Sequence, residues 1–259
     1  MPHTRCHAIS EIALLSHAAH LRWSDIGALC GVPASRQRDA AGRPVYASIY
    51  YVDVAGFPEA GLGAWGPDDD LEVVSTLGRF GRSMMDGEHR LYAAGALPAA
   101  LPETLPEAPR VQLSNVLVSV GRGADDLRIA WPENADIERV PALHEEPESY
   151  RTIKRARHEG RFFAPPDGAI ALWPGGRTAS CAVNPDRDLN GVGLLYFCNY
   201  VAFMDTAERV LLEAEGCFAP AELDRRVTVR RQIGFYGNAE PRETLEVEVE
   251  AAAAEASRR

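Results

Sequence analysis

NPDRDLNGVGLLYFCNYVAFMDTAERVLLE, residues 184–213, runs from a polar, glycine-containing turn straight into the most apolar helix candidate of the chain. The predicted helix extends from Gly193 to about Glu215, and nearly all of its residues before Asp205 are apolar. A helix that is apolar on most sides must be buried on most sides. A strongly curved antiparallel sheet wrapped around the helix would meet that requirement.

The turn before this helix combines two polar side chains, Asp188 and Asn190, with two glycines, Gly191 and Gly193. Asp and Asn are common helix-capping residues, so capping alone is one explanation of the pair. Backbone N–H groups at the start of a buried helix can also bind a ligand oxygen, and glycines allow the backbone to approach it closely. The residues by themselves leave both interpretations open.

The first half of the chain is predicted to be one helix followed by strands. Residues 10–31 have apolar side chains at helical spacing, Ser10 suits the N-cap position, and Gly31 ends the helix. Runs that are rich in aromatic and β-branched residues follow, and such runs are typical of strands. These strands are predicted at 45–54, 71–81, 88–95 and 111–121.

The second half repeats the order of the first. One strand is predicted before the turn and two after the helix, at 177–185, 225–236 and 243–251. The stretch 133–168 is charged and contains prolines, which is typical of a connector. We therefore predict an α+β protein of two modules, each with a curved antiparallel sheet around one long helix. The modules are assigned to residues 1–132 and 169–259.

The overall composition excludes several classes of protein. A net charge of −10 disfavours a nucleic-acid partner, because phosphate binding needs a basic surface. No apolar run is long enough to span a membrane, and the N-terminus lacks a signal-peptide core. The five cysteines form no CxxC pair, as expected of buried thiols in a reducing compartment. We expect a cytoplasmic protein that binds neither nucleic acid nor a membrane.

Two stretches carry a family resemblance: NPDRDLNGVGLLYFCNYVAFMDTAER (184–209), and LRWSDIGALC (21–30) with RDAAGRPVYASIYYVDVAG (38–56). Together they resemble a biosynthetic family encoded beside polyketide and nonribosomal-peptide genes, typified by the leinamycin bifunctional acyltransferase/decarboxylase. The resemblance implies a double hot-dog fold. It also implies an enzyme that converts methylmalonyl-CoA into a decarboxylated acyl group on an acyl carrier protein.

The resemblance assigns a nucleophile in the first half of the chain. It places the family's proposed nucleophilic tyrosine at Tyr46, with Ser48 two residues on and therefore on the same face of the strand. A phenol has a pKa of about 10, so it needs nearby donors or positive charge before it attacks a thioester. Without the resemblance, packing against a sheet is the simpler explanation of these aromatic residues.

The resemblance also gives a role to the turn before the second helix. Decarboxylation of a malonyl-type thioester produces an enolate, and fixed donors near its oxygen would stabilise the transition state. Asp188 and Asn190 are the catalytic candidates there, beside Tyr46. The substrate-binding candidates, besides Ser48, are Gly191, Gly193, Tyr196 and His3.

No metal site and no bound cofactor are predicted, and coenzyme A enters only as part of a thioester substrate. His17 and His20 lie three residues apart on a helix, but no second ligand pair accompanies them. Nucleophile-elbow, Walker and dinucleotide fingerprints are also missing from the sequence. The basic cluster at 151–161 either meets the phosphates of coenzyme A or an acidic carrier protein, or is a solvated connector, which its composition favours.

Three functions stay open at this point. The first is the acyltransferase/decarboxylase, with acyl-CoA and an acyl carrier protein as partners. The second is a hot-dog thioesterase or dehydratase; Asp188 suits a thioesterase, whereas no histidine lies beside the turn to serve a dehydratase. The third is a non-catalytic module that binds acyl thioesters or carrier proteins.

Two further expectations concern assembly and completeness. The family resemblance and exposed sheet edges predict a homodimer. Because the chain ends soon after the last predicted strand, the second module is expected to be short of strands at its C-terminus.

Overall fold

A computed structural model describes residues 4–5, 8–66, 68–98, 101, 105–121, 126–164, 169–171, 176–191, 193–216, 218–239, 241–249 and 253–255. The α-helices of these residues are α1 (Glu11–Cys30), α2 (Glu148–Glu159), α3 (Pro185–Asp188), α4 (Asn199–Ala214) and α5 (Pro220–Asp224). The first eight strands are β1 (Thr4–Arg5), β2 (Ala8–Ile9), β3 (Val45–Ala55), β4 (Leu71–Ser75), β5 (Gly78–Phe80), β6 (Met84–Ala93), β7 (Arg110–Val120) and β8 (Leu127–Ile129). The remaining strands are β9 (Ala169–Ala171), β10 (Arg177–Ala182), β11 (Arg231–Gly234), β12 (Thr244–Val249) and β13 (Ala253–Glu255). None of the described helices is long and apolar enough to cross a membrane.

The chain divides into two compact units. The first comprises Met1–Arg155 and Val227–Gly237, and the second comprises Ala156–Arg226 and Asn238–Arg259. β11 therefore belongs to the first unit, although its place in the sequence predicts the second module. The predicted connector also differs from the observed structure, because it contains the twelve-residue helix α2. The module boundaries drawn from the sequence stay a prediction.

A seven-stranded antiparallel sheet forms the centre of the first unit. Its strand order is β11-β3-β7-β6-β4, with β5 paired to β6 and β8 paired to β7. β3 and β7 are eleven-residue strands rich in β-branched side chains, which pack well on a pleated surface. The first half of β3 alternates between buried and half-buried residues, as expected of a strand whose two faces have different environments.

α1 packs against one face of this sheet. Ile26 and Cys30 of the helix join Val45, Met85 and Leu117 of three strands in a single buried apolar cluster. Apolar area removed from water is the main source of stability in such a layer. The helix predicted at 10–31 is confirmed, as is its position beside antiparallel strands.

The Ser10 side chain caps α1 by accepting a hydrogen bond from the Ala13 amide at 3.4 Å. Because alanine cannot accept this bond, we expect Ser10→Ala to lower the free energy of unfolding by about 1 kcal/mol. Urea unfolding followed by circular dichroism measures the change. Ser10→Asn restores a capping side chain and should unfold like the wild type. An unchanged midpoint in Ser10→Ala would contradict the capping role.

A β-bulge in β3 changes which side chains share a face. Ser48 pairs with Val116 and Tyr51 pairs with Ser114, and the register shifts between Ile49 and Tyr51. Directly paired residues lie on one face, and residues two apart on a strand do as well. Tyr51 therefore lies on the face of Ser48, whereas strict alternation from the sequence directs it to the opposite face.

In the second unit, α4 packs against the antiparallel ladder of β10 and β12. Phe203 of the helix contacts a buried cluster that includes Cys181, Val183 and Leu195. β9 pairs with β13, so the described strands of this unit form two two-stranded ladders. A complete second hot-dog module stays a prediction.

The second long helix begins later than the sequence predicts. α4 starts at Asn199 and not at Gly193, because the intervening residues form a closed turn. Asn190 donates its amide hydrogen to the Leu194 carbonyl at 2.8 Å, and Leu189 forms a bridge with Leu195. The polar turn is therefore separated from the helix that it was expected to cap.

Candidate functional site

The Asp188 carboxylate, one of the three catalytic candidates, is buried and fixes the turn of the second unit. It accepts a hydrogen bond from the Asn184 amide at 2.8 Å, and two from the Arg187 guanidinium at 2.6 and 2.8 Å. The Arg187 hydrogen bonds hold the pKa of Asp188 below its usual value, although burial opposes them. The carboxylate is therefore ionised at neutral pH and is paired with a cation.

The amides of the same turn already have acceptors inside the protein. Gly193 donates to the Asn190 carbonyl at 3.0 Å and Leu194 donates to Asn190 Oδ1 at 3.1 Å. Leu195 donates to Asn238 Oδ1 at 2.8 Å, and Tyr196 donates to the Asp188 carbonyl at 2.7 Å. These four N–H groups therefore stabilise the turn and do not point at a ligand oxygen. The expectation of open donors at the turn is not met at these positions.

The first turn of α4 is closed in the same way. The amides of Asn199, Tyr200 and Val201 donate to carbonyls three residues earlier, at 2.8, 3.4 and 3.2 Å. Roles in a site for Asp188, Asn190, Gly191, Gly193 and Tyr196 stay a prediction.

Tyr46 and Ser48 lie on β3 in the first unit, where both are half-buried. Among the described residues, the Tyr46 hydroxyl has no hydrogen-bond partner. The other described candidates belong to the second unit, and the shared cleft expected between Tyr46 and the turn stays a prediction. His3 lies outside the described residues.

Asp86 is a candidate that the sequence does not indicate, and its carboxylate is held by neutral donors from two other elements. Both Ser114 of β7 and Ser149 of α2 donate to its Oδ1, with Ser149 at 2.6 Å. Gln112 Nε2 reaches Oδ2 at 3.1 Å. The signal was hidden because the two serines lie 28 and 63 residues away in the sequence and meet Asp86 only through the sheet and α2.

Tyr50 belongs to the same network. Its phenol lies within hydrogen-bonding reach of Ser114 and Ser149, and its ring packs edge-on against Tyr150 at 6.4 Å between centroids. Burial raises the pKa of the Tyr50 phenol well above its usual value, and the nearby Asp86 charge raises it further. Tyr50 is therefore a neutral hydrogen-bonding group and not a phenolate nucleophile.

A cleft of about 260 Å³ opens beside Asp86 in the first unit. Polar and apolar side chains line it together, which suits a ligand with a polar reacting group and an apolar chain. Residues of its lining include Thr76, Leu77, Asp86, Glu88, Gln112 and Leu143.

Arg22 of α1 lies against Gly87, which also lines this cleft. A Cβ atom at Gly87 would meet Arg22 Nη2 at 3.0 Å and the Thr76 carbonyl oxygen at 2.0 Å, so only glycine fits. The guanidinium is fully buried, and none of its three nitrogens has a hydrogen-bond partner among the described residues. Burial lowers the pKa of Arg22 to about 10, while Asp86 and Asp25 counteract that effect. The group is still charged at neutral pH.

His89 is the second buried ionisable group near α1. Its Nδ1 lies 2.8 Å from Ser75 Oγ, and its Nε2 has no partner among the described residues. Burial, with smaller contributions from Arg22 and His17, lowers the pKa of His89 to about 3. The imidazole is therefore neutral at physiological pH.

The described residues contain no group of three or more His, Cys, Asp or Glu side chains that could hold a metal ion. Cys30, Cys181 and Cys198 are buried free thiols.

The protein is similar to known proteins in its three-dimensional structure. No family model matches the chain, and no curated protein matches it. The structure is similar to that of an acyl-ACP thioesterase from Bacteroides thetaiotaomicron, with a TM-score of 0.54 and 10% identity over 94% of this chain and 80% of that chain. A 12:0-ACP thioesterase from Umbellularia californica is also similar, with a TM-score of 0.38 and 14% identity over 77% of this chain and 67% of that chain.

The first of these similarities defines the class of fold. The chain is an α+β protein with a large antiparallel sheet and few helices among its described residues, of the hot-dog type found in thioesterases. At 10% identity the similarity concerns the fold alone. The finer double hot-dog arrangement stays a prediction.

Proposed function

We propose that this protein is an acyl-thioester enzyme that hydrolyses the bond between an acyl chain and an acyl carrier protein. The observation that carries the proposal is the structural similarity to an acyl-ACP thioesterase, which extends over 94% of the chain. Hydrolysis needs a water molecule and a base, and it needs no bound cofactor. This is the thioesterase alternative that the sequence leaves open beside the acyltransferase/decarboxylase.

The geometry of the candidate residues supports hydrolysis over decarboxylative transfer. Decarboxylation needs donors around an enolate oxygen, whereas the turn amides from Gly193 to Tyr196 already bond within the protein. Transfer through Tyr46 needs an activated phenol, and among the described residues the Tyr46 hydroxyl has no hydrogen-bond partner. Hydrolysis by a water molecule that a carboxylate activates needs neither a phenol nucleophile nor donors at this particular turn.

The partners follow from the same proposal. The acyl carrier protein presents the substrate, and an acyl-CoA is the second possible carrier, because both join the acyl group to a phosphopantetheine thiol. The cytoplasmic location and the homodimer stay predictions.

Incubation with acyl carrier protein preloaded with acyl chains of different lengths tests the proposal. Hydrolysis releases one free acid and one free thiol for each acyl group, which mass spectrometry of the carrier measures. A parallel reaction with methylmalonyl-CoA and unloaded carrier tests the alternative. Gain of a decarboxylated acyl group would favour the acyltransferase/decarboxylase, and an unchanged carrier in both reactions would favour a non-catalytic binding module.

The Tyr46→Phe variant, which lacks only the phenol hydroxyl, distinguishes the hydrolase from the acyltransferase/decarboxylase. We expect this variant to fold normally and to keep hydrolysis within about threefold of the wild type, because a hydrolase that uses a carboxylate does not need the Tyr46 oxygen. Steady-state release of free thiol measures the rate. If Tyr46 is the nucleophile of acyl transfer, the same variant instead loses carrier acylation altogether.

A further inference from the structure

Asp86 and Glu88 face the same cleft but differ in their surroundings. Glu88 forms an ion pair with Arg90 at 2.5 Å and lies 3.4 Å from Arg110. Between described residues, no Lys or Arg nitrogen lies within salt-bridge distance of the Asp86 carboxylate. Glu88 is therefore held by two guanidinium groups, whereas Asp86 is held by the neutral donors of Ser114, Ser149 and Gln112.

The hydrogen bonds of Asp86 leave one oxygen available for a ligand. Its Oδ1 is fixed by Ser114 and Ser149, whereas Oδ2 accepts from Gln112 alone among the described residues. A carboxylate oxygen can accept two hydrogen bonds, so Oδ2 has room for a water molecule in the cleft. Asp188, in contrast, is 1% exposed and accepts three hydrogen bonds, two of them from a cation.

Arg22 places a positive charge close to the same point. Its guanidinium lies against Gly87, the neighbour of Asp86 that lines the cleft and has no side chain to shield it. The charge of Arg22 reaches the Asp86 carboxylate, which it attracts through space, so it can also act on a group that is bound beside Asp86 in the cleft. Negative charge that develops on a thioester oxygen there would be stabilised.

We infer that Asp86 is the general base of thioester hydrolysis and that the cleft beside Gly87 holds the reacting thioester; this inference rests on the proposed hydrolase function. Asp86 Oδ2 takes a proton from water while the water oxygen bonds to the thioester carbonyl carbon. The carbon–sulfur bond of the resulting tetrahedral intermediate then breaks, and the proton passes to the departing sulfur. Water and thioester become a carboxylic acid and a thiol, and Asp86 returns to its ionised form.

The other groups of the network position Asp86 and the substrate. Ser114 and Ser149 fix the carboxylate, and Tyr50 in turn contacts both serines. Ser149 and Tyr50 are therefore positioning residues. Leu77 and Leu143 give the cleft an apolar wall that can contact the first carbons of an acyl chain.

Asp86→Asn tests the inference, because asparagine keeps an oxygen that can accept from both serines while it loses the basic oxygen. We expect the rate of thiol release from acyl carrier protein to fall by a factor of about 100 or more, with an unchanged circular dichroism spectrum. Ser149→Ala should lower kcat with little change in KM. The matched variant Glu88→Gln should reduce the rate much less than Asp86→Asn does.

Chemical rescue distinguishes a base from a structural residue. Asp86→Ala leaves space for a small carboxylate, and we expect sodium formate to restore part of its hydrolytic activity in a concentration-dependent way. Sodium chloride at equal ionic strength is the control. If the wild type is active, either of two results would overturn the inference. The first is an Asp86→Asn variant that keeps its activity, and the second is an Asp86→Ala variant whose activity formate does not restore. Absence of hydrolysis by the wild type would instead overturn the proposed function.

Discussion

We expect the Arg22→Met variant to be more stable than the wild-type protein and to hydrolyse acyl thioesters more slowly. Arg22 is fully buried between α1 and the sheet, and its three nitrogens have no hydrogen-bond partner among the described residues. Removing a charge from water without such partners is costly, and burial lowers the pKa of Arg22 to about 10 for that reason. Methionine fills a similar linear space without a charge.

The size of the stabilisation follows from known replacements of buried charges. Replacement of complete buried ion pairs by well-packed apolar residues stabilises proteins by up to about 1–4 kcal/mol, and a buried guanidinium without a hydrogen-bonded partner should change stability in the same direction. In a protein of this size each kcal/mol raises the melting temperature by about 2–4 °C. Loss of the attraction to Asp86 and Asp25 reduces the gain. Both carboxylates are only partly buried, however, and Asp86 keeps its serine and glutamine donors.

The expected loss of activity has a separate cause. A charge that acts through space near a reacting oxygen contributes on the order of 1–2 kcal/mol, which corresponds to about tenfold in rate. Differential scanning calorimetry and thiol release from acyl carrier protein measure the two effects on the same sample. Arg22→Lys keeps the charge and should show neither the higher melting temperature nor the full loss of rate. A destabilised Arg22→Met would contradict this account, because it would mean that the guanidinium has favourable partners.

Local sequence patterns predicted much of the first unit. α1 could be predicted because Ser10, the helical spacing of apolar residues and Gly31 act within the helix itself or next to it. The long strands could be predicted because their β-branched composition is also local. The bulge before Tyr51 could not be predicted, since it depends on how β3 pairs with β7.

The candidate site depended on contacts that are distant in sequence. Asp86 meets Ser149 only because α2 packs near β6, and α2 itself lay in a stretch whose charge indicated a connector. The sequence indicates a polar turn at Asp188 that could bind a ligand, yet the polar groups of this turn bond mainly to one another and to Asn238. Residue types alone do not reveal whether a polar turn binds a ligand or closes on itself.

The stability of the protein is expected to fall as the pH drops from about 6.5 towards 3, and His89 accounts for a large part of that loss. In the unfolded chain a histidine has a pKa of about 6.5, whereas burial lowers the pKa of His89 to about 3 in the folded protein. Between these values the unfolded chain binds a proton that the folded protein does not. The contribution of neutral His89 to the free energy of unfolding is therefore fully present above pH 6.5 and is lost by about pH 3. The total loss is about 5 kcal/mol.

His89→Leu isolates this contribution from those of the carboxylates that titrate in the same range. Leucine fills the buried position without a titratable group, and the variant keeps Arg22 and His17, which both influence the pKa of His89. We expect the difference in unfolding free energy between wild type and variant to change by up to about 1.4 kcal/mol per pH unit between pH 6.5 and 3. Urea unfolding at several pH values measures it. Ser75→Ala removes only the hydroxyl beside Nδ1 and should keep the pH dependence of the wild type. Parallel stability curves for wild type and His89→Leu across this range would show that His89 titrates alike in both states, and that its burial has no effect on its proton affinity.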